Sequence, residues 1–146
     1  MKLLEFVHKT YWHGSDIAGL DILRPRDSEV IGKRVVFAAT YPEIAVAMSG
    51  HWTDQDFNFG RTLGKDSDPD KVAYKMTELK AGAFDKFFSK PISLYEVNGR
   101  DFHDDSMIQD FEVIASKPVK VLDEKVIDDP LDYLKSAKMV KLKFFS

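Results

Sequence analysis

The order of apolar and polar positions along the chain is mostly that of strands. Residues 3 to 13 read as β structure with a break around His8 and Lys9. Gly32 to Ala39 has a Val35-Val36-Phe37 centre followed by small residues, the pattern of a largely buried strand. Val72 to Leu79 alternates apolar with polar, as a half-exposed strand does. Ile92 to Val97, Asp110 to Ala115 and Val119 to Leu122 read the same way, with Pro118 marking a bend or edge. Helical signals are fewer. Asp16 to Arg26 is a turn or short helix punctuated by Gly19 and Pro25. Thr40 and Glu43 have the spacing of a capping box, Pro42 falls in the first turn, and Ile44 to Met48 is apolar nearly all round before Gly50 stops it. Ala83 to Phe88 makes a short aromatic helix or turn. Asp129-Pro130 starts a last helix, whose apolar stripe is Leu131, Leu134 and Met139 or Ala137. His51 to Arg61 is polar and aromatic at once and reads as a loop running on to Asp70. Gly99 to Asp105 is a second polar loop. The sum is one α+β domain over residues 1–146, with six or seven strands joined more often by loops than by helices.

Composition narrows the function classes. At 146 residues, 44% hydrophobic and 31% charged, the chain can bury one proper core and is not of the disordered type. Net charge is -3 and no run of like charge exceeds a few residues, so extended nucleic-acid binding is not expected. A nucleotide with two phosphates to satisfy remains compatible. The absence of cysteine excludes disulfides, thiolate zinc sites and cysteine nucleophiles. The start is too short and too polar for a signal peptide, and no apolar run approaches the roughly 20 residues of a membrane span. The expected address is cytoplasmic, without membrane contact.

The chemistry concentrates in two places. Thr10-Tyr11-Trp12-His13-Gly14-Ser15 is a β-prone run ending in an imidazole, bare backbone and a hydroxyl, a strand edge suited to holding a polar ligand. His13 and Ser15 share a strand face. A Ser-His hydrolase would need a nucleophile elbow, and no GxSxG is present. The histidines at 8, 13, 51 and 103 lack ligand spacing, and there is no HExxH, EF-hand or GxxxxGK[ST] pattern, so no metal site is expected. The plainer alternative is a structural His13 with Gly14 making a turn. The second place is Asp110-Phe111-Glu112. On a strand its carboxylates share one face, while Phe111 and Val113 turn to the other, into the core. Such a pair can polarise a sugar hydroxyl or stabilise developing positive charge, and like-charge repulsion raises one pKa. The alternative is the solvated face of a strand.

Taken together these pieces resemble the ADP-ribosyltransferase fold, in its poly(ADP-ribose) polymerase and diphtheria-toxin branch. Tyr11-Trp12-His13-Gly14-Ser15 is similar to that branch's strand ending in histidine-glycine-(Ser/Thr). Gly32 to Ala38, leading into a helix from Tyr41, is similar to its Gly-Lys-Gly-Ile-Tyr-Phe-Ala strand, and Gln109 to Ile114 to its late strand headed by a catalytic acid. The resemblance covers most of the chain by order of elements, and its motifs are strongest over about thirty residues, from Trp12 to Ala47. The resemblance implies a split β-sheet core and NAD as substrate, for ADP-ribosyl transfer or NAD glycohydrolysis, with the acceptor unassigned. It gives His13 the 2′-hydroxyl of the nicotinamide ribose, Gly14 the carboxamide through its backbone, and Glu112 or Asp110 the oxocarbenium-like transition state. Ser15 completes the binding motif. Two departures stand out: Val36 occupies the position of the ring-stacking tyrosine, leaving Tyr41 or Trp52 to stack, and the acid is either Asp110 or the longer-reaching Glu112. The alternative implied by these departures is a catalytically inactive domain of the same fold, binding a nucleotide, a nucleic-acid end or a protein partner.

Overall fold

The computed structural model describes residues 9–28, 31–61, 74–105 and 111–146. Strand β1 (Thr10–Ser15) pairs antiparallel over its whole length with β7 (Ile92–Asn98), from Thr10 opposite Asn98 to Ser15 opposite Ser93. Its other side meets β4 (Lys33–Ala39) at one pair, Trp12 opposite Ala39. β4 also pairs with β3 (Arg26–Ser28) and with β8 (Glu112–Ala115), while β7 pairs on its far side with β9 (Val119–Ile127), itself bordered by β2 (Ile22–Leu23). The resulting order is β2-β9-β7-β1-β4-β3, with β8 joined to β4. A second sheet has β6 (Tyr74–Glu78) at its centre, between antiparallel β5 (Phe57–Arg61) and parallel β10 (Val140–Lys143). Among the described residues three short helices, α1 (Pro42–Met48), α2 (Ala83–Phe88) and α3 (Pro130–Lys135), complete one α+β domain. No helix among the described residues is long and apolar enough to cross a membrane.

Two apolar clusters lie on opposite faces of the large sheet, and the two-residue period of the strands sorts residues between them. On β7, Leu94 belongs to the cluster shared with the helices and the small sheet, and its neighbour Tyr95 to the cluster behind. The first cluster holds Ile44, Val46, Phe57, Met76, Phe84 and Leu134, each almost wholly buried. The second holds Tyr11, Val36, Val97, Val113 and Val119. Strands buried on both faces read as continuous apolar runs, which explains why Val35 to Ala39 and Ile92 to Val97 stand out in the sequence.

Several local expectations are corrected. Asp16 to Arg26 contains no helix: the chain bends at Asp16 and Asp21, with Gly19 at positive φ, and then enters β2 and β3. The helix from Pro42 has no capping box, because Thr40 is used elsewhere. Its backbone N–H and its hydroxyl both donate to the Phe111 carbonyl, extending the β4–β8 pairing by one residue, and Tyr41 becomes the N-cap without a side-chain bond. His51 to Arg61 is a loop only in its first half, since Phe57 starts strand β5 and is 1% exposed. β10 was not expected at all, its four residues being too short to stand out beside α3. The shared face foreseen for Phe111 and Val113 also fails: Phe111 packs in the first cluster and Val113 in the second, so they leave the sheet on opposite sides. The last helix starts as expected, with Pro130 in its first turn and Asp129 accepting from the Asp132 N–H at 3.0 Å, but it ends at Lys135, so Leu131 and Leu134 form its buried stripe while Ala137 and Met139 lie beyond it.

Candidate functional site

Beyond the Trp12–Ala39 pair, β1 and β4 part, and α1 lies across the opening. The result is a cleft of about 80 Å³. Trp12, His13 and Gly14 line it from β1, Phe37, Ala38 and Ala39 from β4, Ala45 and Met48 from α1, and Glu112 from the head of β8. The walls are mainly apolar, and the two polar side chains, His13 and Glu112, enter from different strands, β1 and β8.

His13 Nδ1 lies 2.6 Å from the Phe37 carbonyl oxygen. A carbonyl can only accept, so Nδ1 carries the proton and Nε2 keeps its lone pair. Burial is the main influence on the imidazole and pushes its pKa below the ordinary 6.5, the bond to Phe37 opposes this, and the nearby Arg26 guanidinium adds to the lowering. His13 is therefore neutral at physiological pH, with Nε2 an acceptor. Its bond also spans the two parting strands where their backbones no longer pair.

Gly14 is dictated by packing. A Cβ at this position would stand 2.5 Å from the Ala45 carbonyl oxygen and 2.7 Å from Ser49 Cβ, closer than atoms tolerate, so α1 can lie on β1 only over a glycine. The same closeness brings Ala45 and Met48 to the cleft. Glu112 sits opposite Ala39 in the β4–β8 pairing. Its carboxylate has no hydrogen-bond or ion-pair partner among the described residues, and burial raises its pKa above the ordinary 4.5.

The remaining residues named from the sequence lie elsewhere. The Ser15 hydroxyl accepts from the Ile17 N–H at 3.1 Å and turns the chain out of β1. Tyr41 is exposed at the N-cap of α1. The Trp52 indole donates to the Ala47 carbonyl at 2.7 Å and packs edge-on against Phe57, so it pins the following loop to the core. None of the three lines the cleft. Asp110 lies outside the described residues. The aromatic surfaces that do reach the cleft are Trp12 and Phe37, the latter next to Val36, which faces the second core. Alternation along β4 could have shown that Val36 and Phe37 face opposite ways. Which of them meets the cleft depends on where β1 and β4 part.

The loop leaving the site is strapped to the sheet. The Tyr95 hydroxyl donates to the Ile17 carbonyl at 2.5 Å and accepts from the Leu20 N–H at 3.2 Å. Glu124 Oε2 accepts from the Ser93 hydroxyl at 2.7 Å and from the Gly19 N–H at 3.1 Å, and these two bonds hold its carboxyl below the usual carboxylate range.

Among the described residues no group of three or more histidine or carboxylate side chains is placed to hold a metal ion. No protein-family model, curated protein or solved structure matches this chain.

Proposed function

We propose that this protein cleaves the nicotinamide glycosidic bond of NAD, as an ADP-ribosyltransferase or NAD glycohydrolase. The observation that carries the reading is the meeting of His13, Gly14 and Glu112 in one cleft, although 97 or more residues separate the acid from the other two. The chemistry of the lining fits the ligand. Nε2 of His13 is an acceptor for a ribose hydroxyl, the edge of β1 beyond Trp12 offers backbone groups to a carboxamide, and Trp12, Phe37 and Met48 form an apolar surface for a flat ring. Arg26 places positive charge within electrostatic reach of His13, which suits a ligand bearing a diphosphate.

In this reading the C1′–N bond breaks with its electron pair staying on the nicotinamide nitrogen. The electron-poor C1′ then takes a lone pair from an acceptor oxygen, whose proton passes to solvent. The Glu112 carboxylate stabilises the positive charge as it develops, and the remaining work is orientation. Because His13 must be neutral and Glu112 ionised, activity should fall towards acid pH. The Glu112 ionisation that limits it should lie above the ordinary 4.5.

The test is nicotinamide release from NAD followed by chromatography. Glu112→Gln should lower the rate by about 10²- to 10³-fold, while His13→Ala should weaken NAD binding. Absence of turnover, together with NAD affinity indifferent to His13→Ala, would sink the proposal. A second reading, a domain that binds a nucleotide without chemistry, is favoured by the placement of Val36 in the core and of Tyr41 and Trp52 away from the cleft. Calorimetric binding of NAD without nicotinamide release would select it.

A further inference from the structure

The small sheet has one buried face and one open face. Phe57, Tyr74, Met76, Glu78 and Val140 are buried on the inner side. The outer side is fixed by strand register, since residues directly opposite each other share a face. Lys141 pairs with Lys75, which pairs with Gly60; Lys143 pairs with Thr77, which pairs with Asn58. The outer face is thus a grid of two rows and three columns, with three exposed lysines beside a hydroxyl, an amide and a bare glycine. No carboxylate belongs to it, and none of the three lysines has an ion pair among the described residues.

This arrangement costs stability. Like charges directly opposite in adjacent strands repel, and Lys75 and Lys141 are such a pair. In a chain of net charge -3, a face carrying three positive charges without ion pairs among the described residues leaves the remainder correspondingly more acidic. An anion bound across the face would offset the repulsion. Adjacent columns are about 4.8 Å apart and the two rows about 6.6 Å, so the cations are spread over a plane rather than gathered round a point. That geometry fits an extended polyanion better than a single small one.

We propose that the outer face of the β10-β6-β5 sheet binds the phosphodiester backbone of nucleic acid. Lys, Thr and Asn are residues that contact phosphate and sugar without reading sequence. An acidic protein partner fits less well. Lysine is depleted at protein interfaces, and the six paired positions of this face hold no apolar or aromatic side chain. With lysine, threonine and asparagine at the paired positions and no aromatic among them, binding should be mainly electrostatic and indifferent to sequence. This departs from the expectation drawn from the linear sequence. The lysines come from segments more than sixty residues apart, and only the parallel pairing of β10 with β6 brings them together. The proposal does not depend on NAD chemistry at the cleft.

The experiment is fluorescence anisotropy of labelled single-stranded and duplex oligonucleotides of mixed sequence, titrated with the full chain. Three phosphate contacts give a slope of log affinity against log salt of about -2 for single strands and nearer -3 for duplex. Between about 50 and 200 mM salt, affinity should therefore fall roughly 15- to 40-fold. The variant with Lys75→Glu, Lys141→Glu and Lys143→Glu should bind at least about tenfold more weakly, and the corresponding Lys→Arg variant should bind as the parent does. If circular dichroism shows the Glu variant unfolded, single Lys→Gln variants serve instead, each expected to reduce the salt slope by about 1. No binding at about 50 mM salt, or affinity unaffected by the substitutions, overturns the proposal. Equal affinity for poly-glutamate or for phosphatidylserine vesicles also overturns it, by reassigning the face to acidic protein or membrane.

Discussion

Glu112 and His13 are both pushed towards their neutral forms by burial, and this gives them opposite effects on stability. The folded Glu112 has a pKa above the ordinary 4.5, so the folded state holds its proton more tightly than the unfolded chain. Its contribution is fully present below 4.5 and is lost as pH rises through the folded value. Glu112→Gln should therefore raise the melting temperature at neutral pH and leave it unchanged well below pH 4.5. An equal effect at both would show that the carboxyl is not buried as charge. His13 runs the other way. Its folded pKa lies below 6.5, so the unfolded chain takes up a proton first, and stability present above 6.5 is lost as pH falls through the window beneath it. An NMR titration of the His13 ring should show a midpoint below 6.5. A residue that stabilises the fold when neutral but serves the proposed chemistry when charged is the trade expected of a site carboxylate.

At the scale of elements, the site depends on how closely α1 approaches β1. Gly14→Ala would place a methyl group against the Ala45 carbonyl and Ser49, and the helix would have to move. Overpacking of this kind costs about 1–3 kcal/mol, measurable as a lower midpoint in urea. An unchanged midpoint would mean that the helix does not sit on the strand. The β1 motif, the β4 strand and the Pro42 and Pro130 helices were legible because their residues carry local information: alternation, apolar runs, and a proline where an N–H is unneeded. The Thr40 cap was misjudged for an equally local reason. Thr40 suits an N-cap, but a neighbouring strand offers the Phe111 carbonyl, and a sheet bond made by both its N–H and its hydroxyl wins. Trp52 is ambiguous by the same local measure: an aromatic in a polar stretch is equally a ligand platform or an anchor, and its indole bond to the Ala47 carbonyl makes it an anchor.

Across the whole molecule, one buried carboxylate ties distant segments together. Glu78, 5% exposed, accepts from the Phe84 N–H at the start of α2 with one oxygen and from the Phe145 N–H beyond β10 with the other, each at 2.8 Å. Glu78→Ala would strip both donors of their partner and should cost roughly 2–4 kcal/mol. Glu78→Gln, which keeps one acceptor oxygen, should cost less. Denaturant unfolding of the two variants checks the ranking, and equal losses would mean that only one of the bonds matters.

Local pattern by itself determined that the chain is an α+β fold of short strands, where most of those strands begin, and that His13, Gly14 and Glu112 merit attention. These follow from side-chain periodicity and backbone preference, which act over a few residues. Only the tertiary structure decided that β1 and β4 part after one pair, that Phe37 rather than Val36 meets the cleft, and that Lys75 comes to lie beside Lys141. Each of these is a matter of register between segments remote in sequence. Register is set by the packing of both sheet faces at once, which no single stretch of sequence contains.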